Sequence, residues 1–236
     1  MAWDGALNLR DLGGLPLVGG GSTVPGRVFR SGAPEWMTSL GWTQAAAAGL
    51  TRRVDLRNTD EIGRHPHHPS VPGSDTVFLD VVNAPTENPD DAEFMEVCGP
   101  WLDHPRSFAD TLRFYPGKFA AVFRAIAEAD GAVLVHCSGG KDRTGLVTAM
   151  LLTLTGVERT AVLDDYVAAF RTANAHQVAH PELSRHFADS PELLDDWVTE
   201  RRAALDAFLD DINVVDYLVA AGLDEATLAR LREKLA

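Results

Sequence analysis

Residues 132–154 read AVLVHCSGGKDRTGLVTAMLLTL. The run Ala132 to His136 is short and apolar, as a buried strand requires, and Thr144 to Leu154 is an apolar stretch long enough for a helix. A strand passing through a glycine-rich turn into a helix is the building unit of an α/β fold. It places residues 137–143 at the carboxyl end of one and the amino end of the other. That junction suits an anion, because the first N–H groups of a helix are unpaired and its dipole is positive there.

Within the junction, five residues separate Cys137 from Arg143. A loop of Cys137, Ser138, Gly139, Gly140, Lys141, Asp142 and Arg143 can curl with its backbone N–H groups inward as a nest for phosphate, the glycines supplying the backbone angles. The same field favours thiolate over thiol, so Cys137 reads as a nucleophile able to form a cysteinyl phosphate that water hydrolyses. Arg143 offers a planar fork for two equatorial phosphate oxygens. Lys141 adds positive charge at the rim, the hydroxyl of Thr144 or Ser138 is placed to hydrogen-bond the sulfur, and His136 is expected to orient the loop through backbone contacts.

The loop sequence resembles the HCxxGKDRTG signature of bacterial tyrosine and dual-specificity phosphatases. Three further blocks are similar to that family's in the same order: Asn8 to Gly14 (NLRDLGG), Gly26 to Ser31 (GRVFRS), and Val54 to Arg57 (VDLR) followed by Glu61. Gly139 stands where the family commonly has alanine. The resemblance implies a phosphatase acting on phosphotyrosine, with phosphoserine/threonine as a further substrate; Lys141 and the basic loop suit a phosphoinositide head group as well, the chemistry needs no metal or other cofactor, and the alternation of helix and strand indicates a phosphatase-like three-layer α/β sandwich with a mainly parallel central sheet.

A proton donor for the leaving oxygen has two candidates. Many cysteine phosphatases carry it on a separate loop, whose equivalent here is Asp80, in the apolar run Thr76 to Val82. The resemblance instead points to Asp142, inside the phosphate loop. A carboxyl between Lys141 and Arg143 is biased toward ionisation, which opposes that role, and bound phosphate reverses part of the bias. Arg57 is a candidate for a second phosphate, with an ion pair to Asp55 or Glu61 as the competing reading.

The rest of the chain frames this loop. Strands are expected at Val28 to Arg30, Arg53 to Leu56, Thr76 to Leu79 and Ala132 to His136, with helices at Thr43 to Gly49 and Phe119 to Ala129. With 236 residues, 45% of them hydrophobic and 23% charged, the sequence supports one phosphatase domain over 1–236. Residues 83–118 hold several prolines with Phe94, Trp101, Phe108, Phe114 and Tyr115, and read either as aromatic packing or as a lid. From about 157 to 236 the pattern is helical, and Leu205, Phe208, Leu209, Ile212, Val215 and Leu218 form an apolar face that packs inward.

Several classes of partner are disfavoured. A net charge of −13 argues against nucleic acid and anionic membrane. No apolar run approaches the roughly 20 residues of a membrane span, and no signal-peptide pattern opens the chain, so a cytoplasmic enzyme acting on a phosphorylated protein or phosphoinositide is expected, export without such a signal remaining open. The oligomeric state is not legible. Two cysteines do not make a disulfide framework, and Cys98 reads as a small core residue. The histidines within Arg64 to Pro69 lack an acidic or thiol partner at ligand spacing. A rhodanese-like sulfurtransferase also sets a cysteine before a helix, but leaves Lys141, Asp142 and Arg143 unexplained. A phosphate-binding module without turnover leaves Cys137 itself unexplained.

Overall fold

The computed structural model describes residues 3–62, 79–180 and 189–236. Its strands are β1 (Arg10–Asp11), β2 (Val28–Ser31), β3 (Leu50–Asp55), β4 (Asp80–Asn83) and β5 (Ala132–His136), in the sheet order β1-β2-β5-β3-β4. All pair in parallel except β1, which runs antiparallel along the edge of β2. Every residue of β2 and of β5 is buried, as expected of parallel strands covered on both faces. β5 is central, with Ser31 of β2 and Asp55 of β3 both in register with His136. Cys137 therefore emerges where three strand ends converge.

The helices are α1 (Ser39–Ala47), α2 (Ala92–Val97), α3 (Phe108–Phe114), α4 (Pro116–Ala127), α5 (Asp142–Thr155), α6 (Arg159–Ala179), α7 (Pro191–Asp211), α8 (Val214–Ala220) and α9 (Glu225–Leu235). Their ends follow ordinary capping chemistry. Ser190 accepts from the Leu193 amide and is followed by Pro191, Asp224 accepts from the Thr227 amide, and α5 stops at Gly156 with φ of 85°. One face of the sheet carries a small core of Trp3, Phe29, Met37, Trp42, Leu50 and Leu134 against α1. The other carries the main core, in which residues 144–152 of α5 are buried all round. A helix apolar on every face needs neighbours on every face, and α6, α8 and α9 pack against it.

These helices give α/β layers on both sides of a mainly parallel sheet. Leu205, Phe208, Leu209 and Leu218 are buried in the main core, and Ile212 and Val215 are packed partly buried against it. Within residues 83–118, Phe94 is fully buried and meets Phe114 edge-on at 5.7 Å and Tyr115 at 5.0 Å, whereas Trp101 is exposed beneath the Arg106 guanidinium. The last turn of α9 reaches back to the sheet. The Val24 amide donates to the Leu235 carbonyl at 2.8 Å, and Lys234 Nζ donates to the carbonyls of Ala129 and, at 3.1 Å, Gly131, just ahead of β5.

Two strand boundaries differ from the sequence reading. β3 begins at Leu50, three residues before Arg53, because its first half pairs with β5 through backbone while its side chains are partly exposed. β4 begins at Asp80, and of the strand expected at Thr76 to Leu79 only Leu79 is described, just ahead of β4, while 76–78 lie outside the described residues. β4 is an edge strand with Val81 exposed, so apolarity does not mark its limits. Arg64 to Pro69 also lie outside the described residues.

A charged cluster ties the sheet to α6. Arg30 of β2, fully buried, pairs with Asp165, which also accepts from Arg10 Nε at 2.9 Å. Burial by itself raises the Asp165 carboxyl, but Arg30 and then Arg10 pull it below its ordinary value. An Asp with a depressed folded pKa contributes stability that is present above its unfolded pKa and is lost as pH falls through the folded one. Asp165→Asn should cost about 3–5 kcal/mol at neutral pH, the penalty for leaving buried arginines unpaired. The loss should shrink toward acid pH, as read from denaturant midpoints of both proteins across that range.

Candidate active site

At the end of β5 the chain must turn from a strand into α5, and the turn is shaped by what its carbonyls meet. The Ser138 carbonyl accepts from the Ala33 amide at 2.8 Å. Asn8 Nδ2 donates to the carbonyls of Gly139 and Gly140 at 3.0 and 3.2 Å, and Arg30 Nη2 donates to Gly140 at 2.7 Å. The Lys141 carbonyl accepts the Gly145 amide at 2.6 Å as the first bond of α5. A trans peptide sets its N–H opposite its C=O. Four carbonyls held outward thus turn the amides of residues 139–142 toward Cys137, which is 3% exposed, as an anion nest.

Sequence blocks far from the loop supply these braces. Asn8 sits at φ 53° and is itself fixed by Arg10 Nη1, which donates to its Oδ1 at 2.6 Å. Gly140 has φ 67°, and a Cβ there would stand 2.6 Å from the backbone of Ser31 and Gly32. At Gly139 a Cβ would meet only the Lys141 side chain at 3.4 Å, which explains why alanine fits that position. Gly145 lets the Tyr166 ring lie against α5, since a Cβ would come within 2.6 Å of it. Tyr166 Oη then donates to Asp142 Oδ1 at 3.1 Å.

Arg143 is held by carboxylates. Its Nη1 and Nη2 donate to Glu61 Oε2 and Oε1 at 2.6 and 2.7 Å, the Ser138 hydroxyl donates to Glu61 Oε1 at 2.9 Å, and Glu87 Oε2 lies 3.7 Å from Nε. Burial opposes ionisation of Glu61, but the Arg143 hydrogen bonds and charge, with the Asn58 amide and Ser138, carry it down to about 2. The Thr144 hydroxyl is buried and bonds to nothing among the described residues. Glu61 therefore claims one of the two hydroxyls expected to face the sulfur, and leaves the other.

Beneath the loop lies a second ion network. Arg57 donates from Nε and Nη2 to Asp55 at 2.9 and 2.8 Å and from Nη1 to Glu35 at 2.8 Å. It is 3% exposed, so the reading of Arg57 as a second phosphate site gives way to an ion pair, with Asp55 and Glu35 and not with Glu61. His136 Nε2 stands 3.5 Å from Asp55 and Nδ1 3.4 Å from the Cys137 carbonyl. Burial outweighs the attraction of Asp55 and takes the imidazole down to about 3, leaving His136 neutral.

A cavity of about 260 Å³ opens above Cys137, lined also by Gly139, Lys141, Asp142, Arg143, Glu87, Leu102 and Asp103. The last three belong to the 83–118 segment. Lys141 Nζ reaches over the Phe170 ring at 5.1 Å. Burial raises the Asp142 carboxyl above its ordinary value against the opposing pull of Lys141 and the Tyr166 bond. The expected bias toward ionisation is reversed, because sequence neighbours act more weakly there than desolvation.

Asp80 is not part of this cavity. It opens β4 opposite Arg52, with which it pairs at 2.6 Å, and its side chain is 54% exposed. Asp55, at the carboxyl edge, lies three residues further along the paired strand, roughly 10 Å at the usual rise. The apolar run suggested a strand ending at Asp80, whereas Asp80 begins one. Sequence reasoning did not identify Glu87, Asp103 or the bracing role of Asn8, Arg30 and Asp165. Of these, Asn8 and Arg30 lie in blocks whose order along the chain was the available signal.

A family model described as the tyrosine phosphatase family matches residues 1–236. The chain is 29% identical to a protein of Cupriavidus necator named "Putative tyrosine-protein phosphatase", over 98% of this chain and 86% of that one. It is 26% identical to the triple specificity protein phosphatase PtpB of Mycobacterium tuberculosis, over 97% and 96% respectively. A tyrosine-protein phosphatase of Nostoc commune is 29% identical over 62% of this chain and 49% of its own. With its four sequence blocks gathered around one cysteine loop and a family model spanning its whole length, the chain belongs to the tyrosine phosphatase family.

Proposed function

We propose that this protein hydrolyses phosphotyrosine through a cysteinyl phosphate on Cys137, with phosphoserine/threonine and phosphoinositides as further substrates. The observation that carries the reading is the loop of outward carbonyls, which aims backbone N–H groups at the space directly over the Cys137 sulfur. A phosphoryl group bound there has its phosphorus in line with the nucleophile and its equatorial oxygens on fixed donors, so little reorganisation accompanies charge redistribution in the transition state.

Arg143 supplies the second half of the clamp. Glu61 uses two of its five N–H groups and the Ser138 hydroxyl oxygen, at 3.5 Å, a third, which leaves two for phosphate oxygens. Glu61 is thus a positioning residue that fixes the guanidinium plane. Thr144, with its unengaged buried hydroxyl, suits the sulfur as it leaves in the second step. The proton for the departing oxygen comes from a cavity carboxyl, Asp142 being the one carried by the loop itself.

Substrate breadth is supported by the name of the triple specificity relative and by Lys141 at the cavity rim, which suits a further anionic group. The sulfurtransferase and the non-catalytic module lose their ground to family membership. Among the described residues no helix is long and apolar enough to cross a membrane.

Cys137→Ser should abolish turnover of phosphotyrosine, phosphoserine and phosphoinositide substrates alike, and acid-quenched wild type should carry phosphate on cysteine. Undiminished release of phosphate by the variant would overturn the covalent route. Gly140→Ala should lower kcat/KM by about 10²-fold, the usual effect of displacing a reacting group by an ångström, while Gly139→Ala should stay near wild type. Equal effects of the two substitutions would contradict the loop geometry described above.

A further inference from the structure

Residues 165–169 of α6 meet the phosphate loop and its braces at three points. Asn8 Nδ2, which donates to the carbonyls of Gly139 and Gly140, also donates to the Ala169 carbonyl at 3.2 Å. The Asp165 carboxylate pairs with Arg30 and Arg10, and its carbonyl accepts from Arg10 Nη2 at 2.9 Å. Between these, Tyr166 Oη donates to Asp142 Oδ1 at 3.1 Å. The first two contacts fix the loop backbone. The third reaches a side chain that lines the cavity over Cys137.

The Tyr166 ring has little room to move. It is 1% exposed, lies against Gly145 where a Cβ would come within 2.6 Å, and meets Phe170 at 5.1 Å and Phe108 edge-on at 6.3 Å. Burial first, and then the charge of Asp142, hold its phenol well above the ordinary value, so the hydroxyl remains a donor across neutral pH. A carboxyl oxygen that accepts from such a donor is left as the acceptor in both protonation states. The proton of Asp142 therefore sits on Oδ2, to which no described residue donates.

We propose that Tyr166 is a positioning residue for proton transfer, its hydroxyl holding the Asp142 carboxyl so that Oδ2 carries the proton to and from the reacting oxygen. The assignment rests on the reading of Asp142 as the acid. In the first step Cys137 Sγ bonds to phosphorus, the phosphorus to ester-oxygen bond breaks, and that oxygen takes the proton of Oδ2. In the second a water oxygen bonds to phosphorus, the sulfur to phosphorus bond breaks with its electron pair returning to Cys137, and Oδ2 takes the water proton. Tyr166 keeps its own proton throughout. Its contribution is orientation, because the terminal torsion of an aspartate is otherwise broad and two-fold, and a misdirected donor forfeits part of its rate.

Charged groups face the Asp142 carboxyl from every side. Burial raises it; Lys141 of the loop and then the Tyr166 bond from α6 lower it; Asp103, ahead of α3, raises it and Arg201 of α7 lowers it. Glu87, after β4, interacts with its charge across the cavity. Removing the Tyr166 hydroxyl takes away one lowering influence, so Asp142 keeps its proton to higher pH.

The test compares wild type, Tyr166→Phe, Asp142→Asn and the double variant on a phosphotyrosine peptide and on 2,4-dinitrophenyl phosphate, whose leaving group needs no proton. Tyr166→Phe retains the ring against Gly145. It should lose about 10-fold in kcat/KM on the peptide, part of the 10²–10⁴-fold that a positioned acid contributes, and stay near wild type on the activated ester. The basic limb of its peptide pH profile should lie at higher pH than that of wild type. Asp142→Asn should show a larger selective loss, to which Tyr166→Phe adds nothing. Equal losses on both esters, an unmoved limb, or a further loss in the double variant would reduce Tyr166 to a packing residue and overturn the proposal. No selective loss in Asp142→Asn would instead sink the reading of Asp142 and the proposal with it, whereas a selective loss there without one in Tyr166→Phe overturns Tyr166 alone. If Tyr166→Phe does not fold, 3-fluorotyrosine in place of Tyr166 keeps ring and hydroxyl; its more acidic phenol should move the limb to lower pH, and an unmoved limb overturns the assignment.

Discussion

The outward fixation of the loop carbonyls is the constraint on which the site depends. A seven-residue loop, 137–143, rich in glycine has many conformations, and only one family of them aims successive amides at a common point. Asn8, Ala33 and Arg30 select it by offering donors on the outside. Arg30 can occupy that buried position because Asp165 compensates its charge. The chain of dependence thus runs from α6 through β2 to the anion site, and each link is a charge or polar group removed from water and satisfied by protein. Such networks hold one geometry well because partial satisfaction is costly.

Electrostatics then divide the carboxylates by environment. Glu61 accepts two arginine N–H groups and a serine hydroxyl and stays ionised, while Glu87, close to the same guanidinium but with a carboxyl that takes no hydrogen bond from a described residue, is raised to about 7. The difference is not the distance to charge alone. It is whether donors replace the water that burial removes. His136 and Asp142 show the same balance settled by desolvation, the first as a neutral imidazole and the second as a raised carboxyl.

What the sequence discloses and what it conceals follow from range. The unit β5, loop and α5 was legible because its signals are local: an apolar run, glycines, then a second apolar run. The middle strands were legible for the same reason. β4 was not, since an edge strand shares its backbone with a neighbour without needing an apolar face, and Asp80 was assigned to the wrong end of it. Around the loop, local charge misled. Lys141 and Arg143 flank Asp142 in the chain, yet Arg143 turns to Glu61, 82 residues away in sequence, and Asp142 turns to Tyr166. Glu87 carries no mark in a stretch of acidic and proline residues, because its character comes from burial beside groups on three other elements.

The back-reach of α9 onto the residues ahead of β5 carries a consequence for how the chain is made. The central strand and its loop precede α9 by most of the helical half, yet Lys234 and Leu235 supply bonds to Ala129, Gly131 and Val24. During synthesis the earlier segments emerge before α9 is present to cover α4 and α5, against which it packs. The Lys234 contacts join residues 105 and 103 positions apart in the chain, so the cover over the nucleophile's strand is of the non-local kind whose loop-closure entropy must be met before the contact rewards it.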